Sequence, residues 1–330
     1  MIISRTPLRV SLVGGGSDLE AFYQHLPGAV VTTAIRKYIY ITVNRKFDSK
    51  IRASYSVTEI VESVEDVQHE LIREALLLLG IKGGIEITSI SDIPSQGTGL
   101  GSSSSYTVGL LAALHAYRGE HVGSERLARE ACEIEIARCR KPIGKQDQYI
   151  AAYGGLQYMQ FNTDGSVFVD PIVCSSATRQ RLESHLLLLY TGGTRSANPI
   201  LAEQARHMAD AARRDEIKKM VTFARDLRQA LAANDLSTCG EILHESWMVK
   251  RRAASGVTTS QIDEWYECAR ANGALGGKIS GAGGGGFLVL FAPPETHPRI
   301  CRALPHLRSL TFRMETQGSK IIYVEETEHD

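Results

Sequence analysis

Apolar and polar side chains alternate along residues 2 to 13, where Ile3, Leu8, Val10, Leu12 and Val13 mark a strand face turned toward a core. The alternation stops at Gly14-Gly15-Gly16-Ser17-Asp18-Leu19. Runs rich in Val, Ile, Thr and Tyr at 29–35, 38–47 and 51–55 predict three more strands, and the pattern over 67–79 predicts a helix that Gly80 ends. A strand at 85–90 meets a glycine- and serine-rich junction, Ile93 to Ser105, before a helix over 106–117; another helix starts at Ser124 and runs to Arg138. Beyond Pro142 and Gly144 come a short helix to Tyr153, strands at 156–161 and 166–170 around an Asn162-Thr163-Asp164-Gly165 turn, and an apolar strand from Leu186 to Tyr190. Helical spacing then dominates over 198–213, 215–233, 236–252 and 259–272. The stretch Lys278 to Gly286 leads into a strand, Phe287 to Phe291, and a terminal hairpin of 310–315 with 320–325 turns at Gln317-Gly318-Ser319. The first half is therefore strand-rich and the second helix-rich.

Three glycine-rich stretches interrupt this pattern and carry the candidate chemistry. In the central one, Gly97, Gly99 and Gly101 stand at alternate positions, so the backbone can approach a polyphosphate without Cβ clashes. The helix start that follows offers N–H groups without intrahelical partners and a partial positive charge, with Ser102 to Ser105 as hydroxyl donors. No Lys follows Gly101 as a Walker A loop requires, and the G-x-G-x-G spacing is not the dinucleotide loop. An ordinary Gly/Ser turn capping a core helix is the competing reading. At the first loop, a strand-to-helix turn capped by Asp18 competes with Asp18 and bare backbone held against a polyol or phosphate. In the third, four consecutive glycines, Gly283 to Gly286, lose backbone entropy that a plain turn has no need to lose, which implies close passage of several segments and a ligand. Glu135 shares a helix face with Ala128, Ala131, Cys132 and Cys139; it either reaches solvent, Arg129 or Arg138, or serves Mg²⁺ together with hydroxyl and phosphate oxygens.

Composition narrows the partners. Among 330 residues, 37 basic and 37 acidic side chains cancel, so no general basic surface for nucleic acid or anionic lipid exists. No apolar run approaches the ~18 residues that span a membrane, and Met1 to Arg5 show no secretory pattern. The six cysteines and ten histidines fall at no metal-binding spacing. A cytoplasmic protein acting on a small molecule is the expectation, with no membrane or nucleic-acid partner.

In order along the chain, Pro7-Leu8-Arg9-Val10 through Gly14 to Asp18, Pro94 through Gly99-Leu100-Gly101-Ser102-Ser103, and Lys278 through Gly286 resemble the three motifs of the GHMP small-molecule kinases, the superfamily of galactokinase, homoserine, mevalonate and phosphomevalonate kinases. Gly14 to Asp18, Tyr190-Thr191-Gly192 with Arg195-Ser196, and His244-Glu245-Ser246-Trp247 with Lys250-Arg251 are similar to its D-glycero-D-manno-heptose 7-phosphate kinase branch. The resemblance implies an α+β chain of two domains, a ribosomal-protein-S5-like α/β domain over 1–172 and a ferredoxin-like α+β domain over 173–330, with the active site between them. It implies ATP phosphates over Gly97, Gly99, Leu100, Gly101, Ser102, Ser103 and Ser104, Mg²⁺ on Ser103 and Glu135, and Asp147 as the catalytic aspartate with Arg9 beside it. Gly14, Gly15, Gly16, Ser17, Asp18, Arg195, Gly281 and Gly283 would surround the acceptor.

The implied reaction carries the γ-phosphoryl group of ATP to the anomeric hydroxyl of the heptose 7-phosphate. Galactokinase's Gly-Glu-His-x-Asp-Tyr is here Gly-Gly-Gly-Ser-Asp-Leu, which argues against galactose, while Ser104-Ser105 in place of Ala-Ala leaves phosphate binding untouched. A kinase for fucose or another capsule or antibiotic sugar, and a non-catalytic sugar- and ATP-binding regulator of the same fold, are the competing readings. A phosphorylated acceptor calls for a second group of cations, for which Arg195, Lys250, Arg251, Arg252 and Lys278 are the candidates, although Lys250 to Arg252 also read as a solvated helix end.

Overall fold

Strand β1 (Ile2–Val13) is the spine of a large sheet, buried on both faces from Thr6 onward. The structure, a computed structural model, describes residues 1–94, 97–192 and 198–325. The strands expected at 29–35 and 38–47 form one, β2 (Gly28–Arg45). It is continuous because β1 pairs with it on both sides of a register shift, Pro7 facing Tyr38 and Leu8 facing Ile35, so Arg36 and Lys37 make a bulge rather than a turn. After β3 (Ile51–Ser54), β4 (Thr58–Val61), β5 (Ile85–Ser91), β6 (Leu156–Phe161) and β7 (Val167–Pro171), the chain enters a second sheet through β8 (Leu186–Tyr190), β9 (Gly276–Ile279), β10 (Phe287–Phe291) and β11 (Arg308–Leu310). Strand β12 (Lys320–Val324) returns to the first sheet.

The first sheet runs β12-β1-β2-β5-β3-β4, with β6 and β7 branching from β2; the second runs β11-β8-β10-β9 and is antiparallel throughout. The expected terminal hairpin does not form, since β11 pairs with β8 and β12 with β1. Residues between them are tied to the first sheet and to helix Gln146–Tyr153 instead: Glu315 N–H donates to Ala34 O in β2, and Ser319 N–H to Ala151 O in the helix. Gly318 is what permits this docking, because a Cβ there would stand 2.0 Å from Ala152 O. Helices Ser176–His185 and His297–Ala303 lack a clear apolar period and so carry no periodic signal in the sequence. No helix among the described residues is long and apolar enough to cross a membrane.

Helix Ser102–Tyr117 lies against β1, where Ser105 Oγ donates to Pro7 O and Ser4 Oγ to Gly109 O, and it is buried along most of its length. At its C-terminal end the buried His115 faces two carboxylates, with Nδ1 at 2.8 Å from Glu120 and Nε2 at 2.6 Å from Glu130. Both ring nitrogens must donate, so the ring is an imidazolium. Burial pulls its pKa down, but the hydrogen bonds from Glu130 and Glu120 outweigh burial and raise it. A raised folded-state pKa means that this contribution to stability is complete below the unfolded value of ~6.5 and fades as pH climbs through the folded value. His115→Gln is therefore expected to cost about 2–3 kcal/mol at pH 6 and less at pH 9. Urea unfolding at the two pH values measures this, and an equal loss at both would contradict the imidazolium.

Candidate active site

A cavity of about 590 Å³ opens between the two sheets, within the range of small-molecule sites, and all three glycine loops reach it. Its floor is the pair of Arg9, on β1, and Asp147, in the first turn of helix Gln146–Tyr153. Arg9 Nε and Nη2 donate to the two carboxylate oxygens at 2.7 and 2.6 Å, while Nη1 donates to Gly99 O at 2.5 Å. The guanidinium is buried, so this bidentate bond is held away from water and fixes Asp147 in one orientation beside the central glycine loop. Each carboxylate oxygen keeps a second lone pair for a substrate hydroxyl.

The central loop forms the next wall. Gly97, Gly99, Gly101, Ser102, Ser103 and Ser104 line the cavity, whereas Leu100 points into the core and its carbonyl accepts from Arg9 N–H. Gly99 has φ +73°, and a Cβ there would stand 2.5 Å from Ser280 O, so the central and third loops touch through bare backbone. Ser280 Oγ adds a 2.7 Å bond to Gly99 O. Gly281, packed against Gly99, and Gly283 line the same cavity.

Glu135 lies on the cradle's flank. The helix expected over 124–138 is α-helical only over Ser124–Cys132 and widens into a π-helix over Glu133–Arg138, a distortion frequent at functional sites. The Glu135 carboxylate is fully buried and pairs with neither Arg129 nor Arg138; it accepts from Ser103 Oγ at 2.5 Å and Gln148 Nε2 at 2.7 Å. Burial pushes its pKa up, against the pull of Lys141 and these donors. Lys141 Nζ stands 3.3 Å from Ser103 Oγ, 3.8 Å from Glu135 and 3.1 Å from Glu70, a cation already placed beside both oxygens. One carboxylate and one hydroxyl fit magnesium, which completes its shell with phosphate and water oxygens. Among the described residues no three acidic, His or Cys side chains gather into a metal-holding group, so phosphate and water would have to supply the remaining oxygens.

The first loop supplies Gly15, Gly16 and Asp18 to the cavity. Asp18 does not cap the short helix that follows it, Glu20–Tyr23: its buried carboxylate accepts from Gly16 N–H at 2.9 Å and, across the fold, from Gln146 Nε2 at 3.1 Å and the Gln146 backbone N–H at 3.4 Å at the start of helix Gln146–Tyr153, and burial raises its pKa. Gly14 and Ser17 hold the loop rather than line the cavity, Ser17 Oγ donating to Gly14 O and Ala29 O. Lys250 is also here, its Nζ donating to Gly281 O at 2.6 Å, with its pKa pushed down by burial to about 8. Arg251 is bound to Asp263 at 2.8 Å and Arg252 is exposed. Arg195 lies outside the described residues.

Several lining residues carry no sequence signal of their own. Ser11, Gln146, Gln204 and Lys141 line the cavity, and only the run Lys145-Gln146-Asp147-Gln148 draws the eye toward one of them. A second cavity of about 800 Å³ adjoins the first, sharing Glu70, Ser102, Ser103 and Lys141. His69 stands there with its ring 4.5 Å from Tyr55, edge-on, and 5.1 Å from Tyr106. The ring caps helix Glu70–Leu79, Nδ1 accepting from Ile72 N–H, and burial lowers its pKa, so it is a neutral aromatic face.

Family models for the GHMP kinases N terminal domain and the GHMP kinases C terminal match residues 61–155 and 227–307. The chain is 30% identical to a D-glycero-alpha-D-manno-heptose 7-phosphate kinase of Campylobacter jejuni subsp. jejuni serotype O:2, over 92% of this chain and 93% of that protein. It is 24% identical to an L-fucokinase/L-fucose-1-P guanylyltransferase of Bacteroides fragilis, over 97% of this chain but only 38% of that protein. Among solved structures, a D-glycero-D-manno-heptose 1-phosphate kinase from Bacteroides thetaiotaomicron superposes with TM-score 0.82 and 25% identity, covering 99% of this chain and 100% of that one.

Proposed function

The chain belongs to the GHMP kinases, a family of phosphotransferases with alcohol acceptors, and from that membership we propose that it transfers the γ-phosphoryl group of ATP to the anomeric hydroxyl of D-glycero-D-manno-heptose 7-phosphate. The observation that carries the reading is the Arg9–Asp147 pair, a carboxylate locked in one orientation between a phosphate-cradle loop and a polar acceptor pocket. Asp147 accepts the proton of the sugar hydroxyl as its oxygen bonds to the γ-phosphorus; the bond to the bridging oxygen breaks and ADP leaves. Gly97 to Ser104 offer backbone N–H groups to the phosphates, and the second cavity, with its Tyr55, His69 and Tyr106 rings, takes the nucleoside. Ser103 and Glu135 would hold Mg²⁺, which when bound neutralises phosphate charge. Asp18 and the bare backbone at Gly16 receive sugar hydroxyls. Residues 1–172 and 173–330 form the two domains in this reading, with β12 crossing back to the first.

The names of the two heptose relatives place the acceptor's phosphate differently, at carbon 7 and at carbon 1. A coupled ADP-release assay with Mg-ATP against heptose 7-phosphate, heptose 1-phosphate, fucose, mannose, galactose and mevalonate tests the reading. Heptose 7-phosphate should lead the neutral sugars by ~100-fold or more in kcat/KM, since a site built for a phosphate rejects acceptors without one. Comparable turnover of fucose would move the acceptor, and ATP turnover indifferent to every sugar would defeat the kinase reading altogether.

A further inference from the structure

Among the candidate cations that the structure describes, Lys278 is the most deeply buried. It sits on β9, fully buried, and its Nζ has no hydrogen-bond partner. Burial holds its pKa well below the ordinary lysine value, with Lys250 and Arg9 adding to the depression and Asp18 and Asp147 opposing it. Those four are the charged groups that face it, from β1, the first loop, helix Gln146–Tyr153 and helix Cys239–Lys250. Arg9 is neutralised by its bidentate bond to Asp147. What remains is two lysines against one carboxylate, Asp18, which already accepts from Gly16 and Gln146.

Burying an amine without a partner costs free energy whether it keeps its proton or gives it up, and a methionine would pack the same space without that cost. The amine is explained if a ligand supplies the missing charge. Lys250 shows where that charge enters. A Cβ built on Gly15 would find Gln146 Nε2 at 3.5 Å, Lys250 Nζ at 3.7 Å and Ser11 Oγ at 3.8 Å, three donors converging on one point of the cavity wall. Ser11 Oγ has no partner, and Gln146 Nε2 keeps a second hydrogen after bonding Asp18. A neutral hydroxyl would satisfy one donor and leave both lysines uncompensated; a phosphate dianion answers all of them. The nucleotide's phosphates have donors of their own in the backbone of Gly97 to Ser104 and in Lys141.

We propose that Ser11, Gly15, Gln146 and Lys250, backed by Lys278, form the subsite for a phosphate monoester carried by the acceptor, and that the two lysines set the preference for a phosphorylated over a neutral sugar. The proposal rests on the sugar-kinase reading above, but its test separates the two. Lys278→Met, Lys250→Met and Gly15→Ala are compared with the wild type in two assays. Gly15 needs no left-handed φ and its Cβ would meet only ordinary contacts, so alanine fits the fold and intrudes on the converging donors. With saturating ADP filling the nucleotide site, inorganic phosphate should raise the wild-type thermal midpoint and fail to raise that of the variants. In turnover, KM for heptose 7-phosphate should rise ~10-fold or more in each variant, with KM for ATP unmoved. Lys278→Met should also raise the ligand-free thermal midpoint, the opposite of what loss of a structural lysine would do. A phosphate shift that survives in the variants, or equal changes in both KM values, overturns the subsite while leaving the kinase intact. If another sugar proves to be the acceptor, the phosphate-induced shift and its loss still decide the subsite.

Discussion

Asp147→Asn should lower kcat by ~10²- to 10⁴-fold, the range for removing a positioned general base, with KM for ATP little changed. Asparagine keeps the size of the side chain but cannot take up the acceptor's proton. It also presents an amide hydrogen to one nitrogen of Arg9, replacing a bidentate ion pair by a single neutral-acceptor bond. Arg9 is buried and would keep only that bond and its contact to Gly99 O, so some loss of thermal stability accompanies the kinetic loss. The two effects separate in a comparison with Arg9→Met/Asp147→Asn. If Asp147 acts only by holding Arg9, the double variant should match Arg9→Met alone in kcat; if it is the base, the single Asp147→Asn is already near the floor. ADP release measured with saturating Mg-ATP and acceptor decides this, and a single variant that keeps more than about a tenth of wild-type kcat would remove Asp147 from the base role.

How much of this site could be read from the chain depends on the distance over which each contact acts. The glycine loops are legible because part of their cause is local: Gly97, Gly99 and Gly101 all take left-handed φ within one short stretch, although the third-loop backbone that Gly99 touches lies far along the chain. Glu135 is legible as a carboxylate in a stripe of small residues, although nothing in the periodicity announces the π-helix that turns it inward. The Arg9–Asp147 pair joins residues 138 apart in sequence, and only the resemblance to a kinase family couples them. Asp18 looks like a cap because caps are read locally, while its real partner, Gln146, is 128 residues away.

The errors in the fold have the same origin. Arg36 and Lys37 read as a turn until β1 supplies a partner on both sides of them, and the Gln317-Gly318-Ser319 turn dissolves because Gly318 packs on Ala152 rather than closing a hairpin. In both places a local turn signal is overridden by a tertiary contact that the signal does not contain. Lys278 is the converse case. The sequence offers it as one cation among five, and only its burial without a partner sets it apart from the others.

Glu135→Gln should uncouple nucleotide binding from the metal, moving the Mg²⁺ concentration for half-maximal rate upward by ~10- to 100-fold, the scale of a lost charged contact. The amide oxygen can still accept from Ser103 Oγ, and its NH₂ can donate to the unpartnered Gln148 Oε1 once the Gln148 amide turns over, but the negative charge that would share Mg²⁺ with the phosphates is gone. Lys141 loses one carboxylate and keeps Glu70 at 3.1 Å, which holds it near the cradle. The carboxylate is fully buried with a raised pKa, so its ionised form weakens the folded state near neutral pH, and the neutral amide is expected to raise the thermal midpoint there. Lower pH should shrink that gain, because the wild-type carboxyl then carries a proton of its own. Calorimetric titration of ATP with and without Mg²⁺ gives a readout independent of turnover: the metal-free affinity should be unchanged or better in Glu135→Gln, and the gain that Mg²⁺ brings to the wild type should be cut. An undiminished metal-dependent gain would show that Glu135 is a buried structural carboxylate, satisfied by Ser103 and Gln148, and would leave the metal to the phosphates alone.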